Sequence, residues 1–276
     1  MPAINRIFAA AVGCAALFVS GCATTKAATD SPDKICREKF EQGKKQFEKK
    51  RDPEAQEKLR DISVNCVGYD FAEESQYMLA ESHYRTEQWI EAQTEFQILV
   101  DHWERSQYLN EARWKISHAA FLQAPSWDRD PSLSQQAIEK ADAYLSDFPT
   151  GEWTDSARVD RDELLARLAD RYFETANLYL KMDEPLAATV YFKLLFKEYP
   201  ESKRVAQARI DMAKAYAMLD QFDRARESLD LLRKDPADAE RLAYRIGVAS
   251  DFIEKSQRKF EERRAQEAAE AKQGKL

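Results

Sequence analysis

Two pairs of alanines constrain this chain more than any other feature. Ala55 and Ala92 are 37 residues apart, and so are Ala188 and Ala225. Four residues after each comes Leu59, Phe96, Phe192 or Leu229, and three further on Ile62, Leu99, Leu195 or Leu232. Steps of four and three return side chains to one face of an α-helix. A small residue on that face marks where two helix backbones cross closely enough for their larger neighbours to interdigitate. A stripe of this kind must be buried, and its return at a fixed interval demands one structural unit used repeatedly.

The preceding helix of each unit carries its own small residue beside aromatics: Gly43 with Phe47, Leu79-Ala80 with Tyr84, Tyr172 with Ala176 and Tyr179, and Met212-Ala213 with Tyr216. Helix pairs recurring at this period define a tetratricopeptide solenoid. A fifth copy is stretched: one helix over about residues 107–122, a loop over 123–131 holding Pro125 and Pro131, then a helix with Ala137, Ala141 and Tyr144 that closes at Pro149. From Thr154 an apolar-periodic run passes through Leu165 and Leu168 into the Tyr172 unit, fusing two repeats through one long helix. The reading is all-α: about five helix pairs (36–69, 73–106, 107–149, 169–202 and 206–238), a linking helix at 154–168 and a capping helix at 239–257 within a solenoid of residues 34–257. Seven glycines and 33% charged residues suit one helical domain. Residues 258–276 are almost all charged or small, which predicts a frayed helix or a disordered tail.

The N-terminus is of a different kind. Arg6 precedes an apolar stretch from Ile7 to Val19, and Val19-Ser20-Gly21-Cys22 follows. Thirteen residues fall short of the roughly 20 that cross a bilayer, so residues 1–21 read as a secretory signal. The last four resemble a lipobox, which implies cleavage before Cys22 and acylation of its thiol. Cys14 also follows a glycine but lies inside the apolar core. Residues 22–33 are then a lipidated tether, and Ala23 in place of Asp implies, by likeness to other diderm lipoproteins, sorting to the outer membrane. The alternative is an ordinary signal cut near Ala23, with Cys22 discarded.

Cys36 and Cys66 remain as thiols in an oxidising compartment. One begins a helix and the other ends its partner, and an antiparallel hairpin brings those ends together, so a disulfide is favoured over two buried thiols. No constellation for catalysis, phosphate binding or metal binding is present: His102 and His118 have no Cys or His at zinc spacing, and no glycine-rich phosphate loop occurs. No enzyme activity and no cofactor are expected. A net charge of −7 and a pI near 5.3 argue against nucleic-acid binding. Solenoids of this type bind peptides or domains along the groove of their first helices. Gln76, His83 and Tyr84 are candidate groove residues, with packing between repeats as the alternative for each.

Residues 128–202 carry a more specific likeness. Asp128-Arg129-Asp130-Pro131, Leu145-Ser146-Asp147-Phe148-Pro149, Leu164-Leu165-Ala166-Arg167-Leu168-Ala169, Ala176-Asn177-Leu178-Tyr179-Leu180, Ala187-Ala188 before Phe192, and Glu198-Tyr199-Pro200 follow one another in an order that resembles the BamD family of tetratricopeptide lipoproteins. The chain departs from that pattern at Asn65-Cys66-Val67-Gly68-Tyr69, where the family often has a Tyr-Pro-Phe turn, and in its short loop before Asp128. The resemblance implies a place on the periplasmic face of the outer membrane. C-terminal repeats would hold the periplasmic domains of the barrel-forming assembly subunit, and N-terminal repeats would meet unfolded β-barrel proteins. A tetratricopeptide lipoprotein of envelope division or peptidoglycan synthesis is the alternative, with a cryptic enzyme behind it.

Overall fold

The computed structural model describes residues 31–273. The expected signal at residues 1–21, Cys22 and most of the tether lie outside the described residues. Those described form twelve helices and no strand: α1 (Pro32–Glu48), α2 (Asp52–Asn65), α3 (Ala72–Arg85), α4 (Trp89–His102), α5 (Leu109–Gln123), α6 (Ser132–Asp147), α7 (Thr154–Lys181), α8 (Pro185–Glu198), α9 (Arg204–Met218), α10 (Phe222–Arg233), α11 (Pro236–Arg241) and α12 (Ala243–Gln273). Five antiparallel hairpins follow one another, and each packs on the next, as a tetratricopeptide solenoid requires.

Local chemistry sets the helix ends. Proline opens α1, α2, α8 and α11, where its missing N–H costs nothing. Ser31 and Asp235 cap α1 and α11 through their side chains. Pro149 and Pro200 stand just past the ends of α6 and α8.

Four of the five turns within hairpins share one geometry. Lys50, Glu87, Asp183 and Asp220 all have φ between 55° and 61°. At each, the next residue's N–H bonds five residues back, as in Arg51 to Gln46, Gln88 to His83, Glu184 to Tyr179 and Gln221 to Tyr216. These are Schellman caps, which satisfy the last carbonyls of the first helix and reverse the chain within three residues. The remaining hairpin, the third (α5–α6), joins through residues 124–131 instead.

The repeated alanines sit in one place. Ala55, Ala92, Ala137, Ala188 and Ala225 are all fully buried, each where the second helix of its hairpin crosses the first. Gly43 plays the same part on α1: a Cβ there would stand 2.8 Å from the buried Leu59 Cδ2. The residues four and seven positions after each alanine complete the stripe, with Tyr144 filling in the third hairpin the volume that Ala141 leaves.

Helix α7 is the spine. Its 28 residues bury Ala157, Asp160 and Leu164 against α5 and α6 and then Ala169, Phe173 and Ala176 against α8 and α9. From Ala169 onward one continuous apolar cluster runs to Ile253, with Phe260 packed against it, whereas the first three hairpins hold several smaller ones. The C-terminal end differs from expectation in where the cap lies: a short α11 precedes it, and it begins at Ala243. Of the two alternatives for the tail, α12 follows the helical one and continues to Gln273. A run of Glu, Ala, Lys, Gln and Arg has high helix propensity, and a packed first half supplies the nucleus that such a sequence lacks alone.

Candidate interaction surface on the inner helices

The odd-numbered helices touch one another in sequence, α1 to α3, α3 to α5, α5 to α7 and α7 to α9, with α12 against α9. The second helices of the hairpins, α2, α4, α6, α8 and α10, have no comparable mutual packing among the described residues. A stack whose first helices pack closer than its second ones curves with the first helices inside, so α1, α3, α5, α7, α9 and α12 line the inner wall.

That wall is built from charge pairs between successive inner helices. Lys115 on α5 lies under the ring of Tyr84, 4.9 Å from its centroid, and pairs with Glu81 on α3 and with Glu111, at 2.9 Å. Glu81 also accepts from Arg85 Nε at 3.1 Å, and Arg85 lies 4.1 Å over Phe47 and reaches Asp52. One hairpin on, His118 Nδ1 donates to Asp160 Oδ2 at 2.6 Å, joining α5 to α7. Its ring stacks on Trp114, which stacks on Trp153 at 4.1 Å. Farther along, Asp170 takes Arg204 at 2.6 Å and Asp211 takes Arg245 at 3.4 Å and Lys214 at 3.0 Å. In three of these bridges the acid precedes the base by 34 residues (81 to 115, 170 to 204, 211 to 245). Burial pushes the phenols of Tyr77 and Tyr84 well above the ordinary tyrosine range, and Glu111 and Glu81 push the same way, so both stay neutral donors.

Of the candidate groove residues, two have no open surface. Gln76 Nε2 donates to the Glu95 carbonyl and carboxylate, both at 2.8 Å, binding α3 to α4. His83 is buried between α2 and α4, accepting from Arg60 at Nε2 and donating from Nδ1 to Gln88 at 2.5 Å. Neither lines a groove, because α3 packs against α1, α2, α4 and α5 at once and so buries most of its girth. Tyr84 is half-buried on the inner wall, edge-on to Trp89 and Phe96. Cys36 and Cys66 are joined, with Sγ atoms 2.06 Å apart and Cα atoms at 5.9 Å. Helix periodicity alone misses Glu81, Lys115, His118 and Asp160; acids and bases 34 residues apart were the available signal for the first pair.

Two of the open surfaces in the C-terminal half bear on binding. One is an inner groove of about 440 Å³ between α7, α9 and α12, lined by Phe173, Asn177, Lys181, Arg204, Lys214 and Arg245 among others. The other is apolar: Leu178, Met182, Leu186 and Val190, each half or more exposed, surround the α7–α8 turn. Among the described residues no three His, Cys, Asp or Glu side chains converge to hold a metal ion, and no helix is long and apolar enough to cross a membrane. Paired charges, packed aromatics and open side-chain surfaces equip this scaffold for non-covalent binding.

Fold and surface together define a tetratricopeptide scaffold whose first helices form one inner wall. The chain belongs to the YfiO family of outer membrane lipoproteins, the BamD type, whose family model matches residues 32–231. The outer membrane protein assembly factor BamD of Rickettsia prowazekii (strain Madrid E) is 20% identical over 243 residues, covering 86% of this chain and 94% of that protein. Among solved structures, the TPR2AB domain of yeast Sti1 in its pHSP90 complex aligns with 87% of this chain and 97% of its own, at 16% identity and a TM-score of 0.39. The P58(IPK) TPR domain aligns with 85% of this chain and 67% of its own, at 13% identity and a TM-score of 0.41.

Proposed function

We propose that this protein is a lipid-anchored scaffold of β-barrel assembly, held by Cys22 to the periplasmic face of the outer membrane, where its C-terminal hairpins grip the barrel-forming subunit and its N-terminal hairpins receive unfolded barrel proteins. The observation that carries the reading is the family match, which begins at the first residue of α1 and runs into α10, so that it takes in all five hairpins. The exposed apolar collar at the α7–α8 turn supports a partner on the C-terminal half. Four large apolar side chains standing in water around one turn gain by being covered, and the continuous core beneath holds them in place. The chemistry is positional: a scaffold that touches both an assembly subunit and its client raises their effective concentration for each other. On this reading the protein is no enzyme and needs no cofactor.

The test is photocrosslinking in intact cells with benzoylphenylalanine in place of Leu186 or Val190. The expected adduct is the barrel-forming subunit, weakened by Met182→Glu. Adducts to Tol or murein-synthesis proteins in its place would move the protein to envelope division. For the anchor, Cys22→Ala should release the chain into the soluble periplasmic fraction; continued membrane partition without partners would remove Cys22 from the account.

A further inference from the structure

The end of the first hairpin has chemistry that the scaffold does not use. Ile35 stands one residue before Cys36 at the start of α1, and Val67 one residue after Cys66 at the end of α2. The bridged cysteines are 5.9 Å apart at Cα, so these two apolar residues lie within about 14 Å of each other. Val64 occupies the last turn of α2 beside them. All three face solvent: Ile35 is 41% exposed, Val67 51% and Val64 71%. Gly68 is open as well, since a Cβ there would meet nothing within 4 Å.

The same end receives the tether. The ten residues from Cys22 to Ser31 span at most about 36 Å, so any anchor on Cys22 keeps this tip within that distance of the membrane and leaves the rest of the solenoid free to point away. Charges around the tip balance: Lys34, Arg37, Lys39 and Arg60 against Asp33, Glu38, Asp61 and Asp70. Arg37 pairs with Asp70 at 3.2 Å, and Lys39 pairs with Asp61. A partner recognised by charge would find little here, whereas the apolar interior edge of a lipid surface asks for no counter-charge.

We propose that the disulfide-closed tip, Ile35, Val64 and Val67 with the open flank at Gly68, rests in the membrane interface and sets the orientation of the solenoid on the bilayer. Three aliphatic side chains are too few to bring a free protein to a membrane. A short tether changes the problem, because it holds the tip at an effective concentration of about millimolar against the lipid and makes a weak contact persistent. The bridge matters because it keeps the Ile35 and Val67 backbones adjacent, so that the residues enter as one patch. This inference rests on the lipoprotein reading of Cys22.

The test uses the full chain purified from membranes and returned to phosphatidylcholine vesicles, with benzoylphenylalanine at Gly68, a position where an added Cβ meets nothing within 4 Å. Irradiation should give lipid adducts at 68 roughly tenfold above those from the same probe at Tyr244, on the far end of the solenoid. The double variant Val64→Asp, Val67→Asp should abolish the difference while its helical circular dichroism is unchanged. Equal or absent lipid adducts at 68 in a protein that carries metabolically incorporated palmitate would overturn the tip and leave the anchor standing. Absence of incorporated palmitate would overturn the anchor and the tip with it. A protein adduct at 68 in cells, without lipid adducts in vesicles, would give the patch to a partner and also defeat the proposal.

Discussion

Lys115 shows how much of this scaffold depends on single side chains. Its ammonium is nearly buried, held between Glu81 and Glu111 and the ring of Tyr84. Removing one member of a buried pair strands the other, at a typical cost of about 3–5 kcal/mol, whereas an apolar pair of similar volume is often neutral. Glu81→Leu is therefore expected to lose stability near the lower end of that range, because Glu111 still serves Lys115. Adding Lys115→Met should recover most of the loss. Urea unfolding of the two variants decides it, and equal losses in both would show that the charges themselves contribute little. Asp61 is a surface counterpart. Hydrogen bonds from Lys39 and then Asn65 hold its carboxyl below the ordinary aspartate range. Its folded pKa is thus lower than its unfolded one, so its stabilisation is present above about pH 4 and drains away as the pH falls through the folded value. Both partners are more than one-third exposed, which limits the pair to about 1 kcal/mol or less. The melting-temperature gap between the parent protein and Asp61→Asn should be small at pH 7 and close at about pH 2.

Among the elements, the hairpin turns carry a removable cost. Glu87 holds a left-handed backbone that suits glycine far better than a residue with a Cβ. The strain relieved by Glu87→Gly exceeds the extra chain entropy lost on folding, and a net gain of about 0.5 kcal/mol is expected, read as a rise in melting temperature. Glu87→Val should move it the other way, and a gain from valine would show that the turn relaxes out of this geometry. Asp183→Gly should behave like Glu87→Gly, whereas Asp220→Gly also removes the carboxylate that accepts from Arg263 at 3.1 Å and should gain less. These turns were not legible in the sequence, because none of the four carries the glycine that usually announces them. What was legible is their spacing: 50 to 87 and 183 to 220 repeat the interval of the matched alanines. The inner-wall residues divide in the same manner. Periodicity identifies α3 as amphipathic, yet Gln76 and His83 are spent on Glu95, Gln88 and Arg60, which only the packing of four neighbouring helices decides.

As a whole molecule the solenoid has two unlike halves. The C-terminal cluster is continuous from α7 to α12, while the first hairpin has neighbours on one side only. In such a stack each unit is stabilised by its own hairpin and its interfaces, and a terminal unit lacks one interface. The Cys36–Cys66 bridge falls on that weak unit and closes a loop worth about 3 kcal/mol or slightly more. Reduction is expected to speed amide exchange across α1 and α2 and to leave α8 to α10 unchanged. Uniform acceleration along the chain would show instead that the molecule opens as one cooperative body.

The sequence alone determined the helix pairs, their order and their crossing points, because a small residue followed by large ones at helical spacing can be buried in few ways and the interval between copies is countable. It also carried the family likeness, in the run from Asp128 to Pro200. Tertiary structure decided which polar residues stay open and which are consumed by neighbouring helices, and how far α12 continues. It also decided which apolar side chains are left in water at the α7–α8 turn and at the first hairpin's tip. Burial of those residues depends on what packs from distant parts of the chain, and periodicity within one helix does not contain that information.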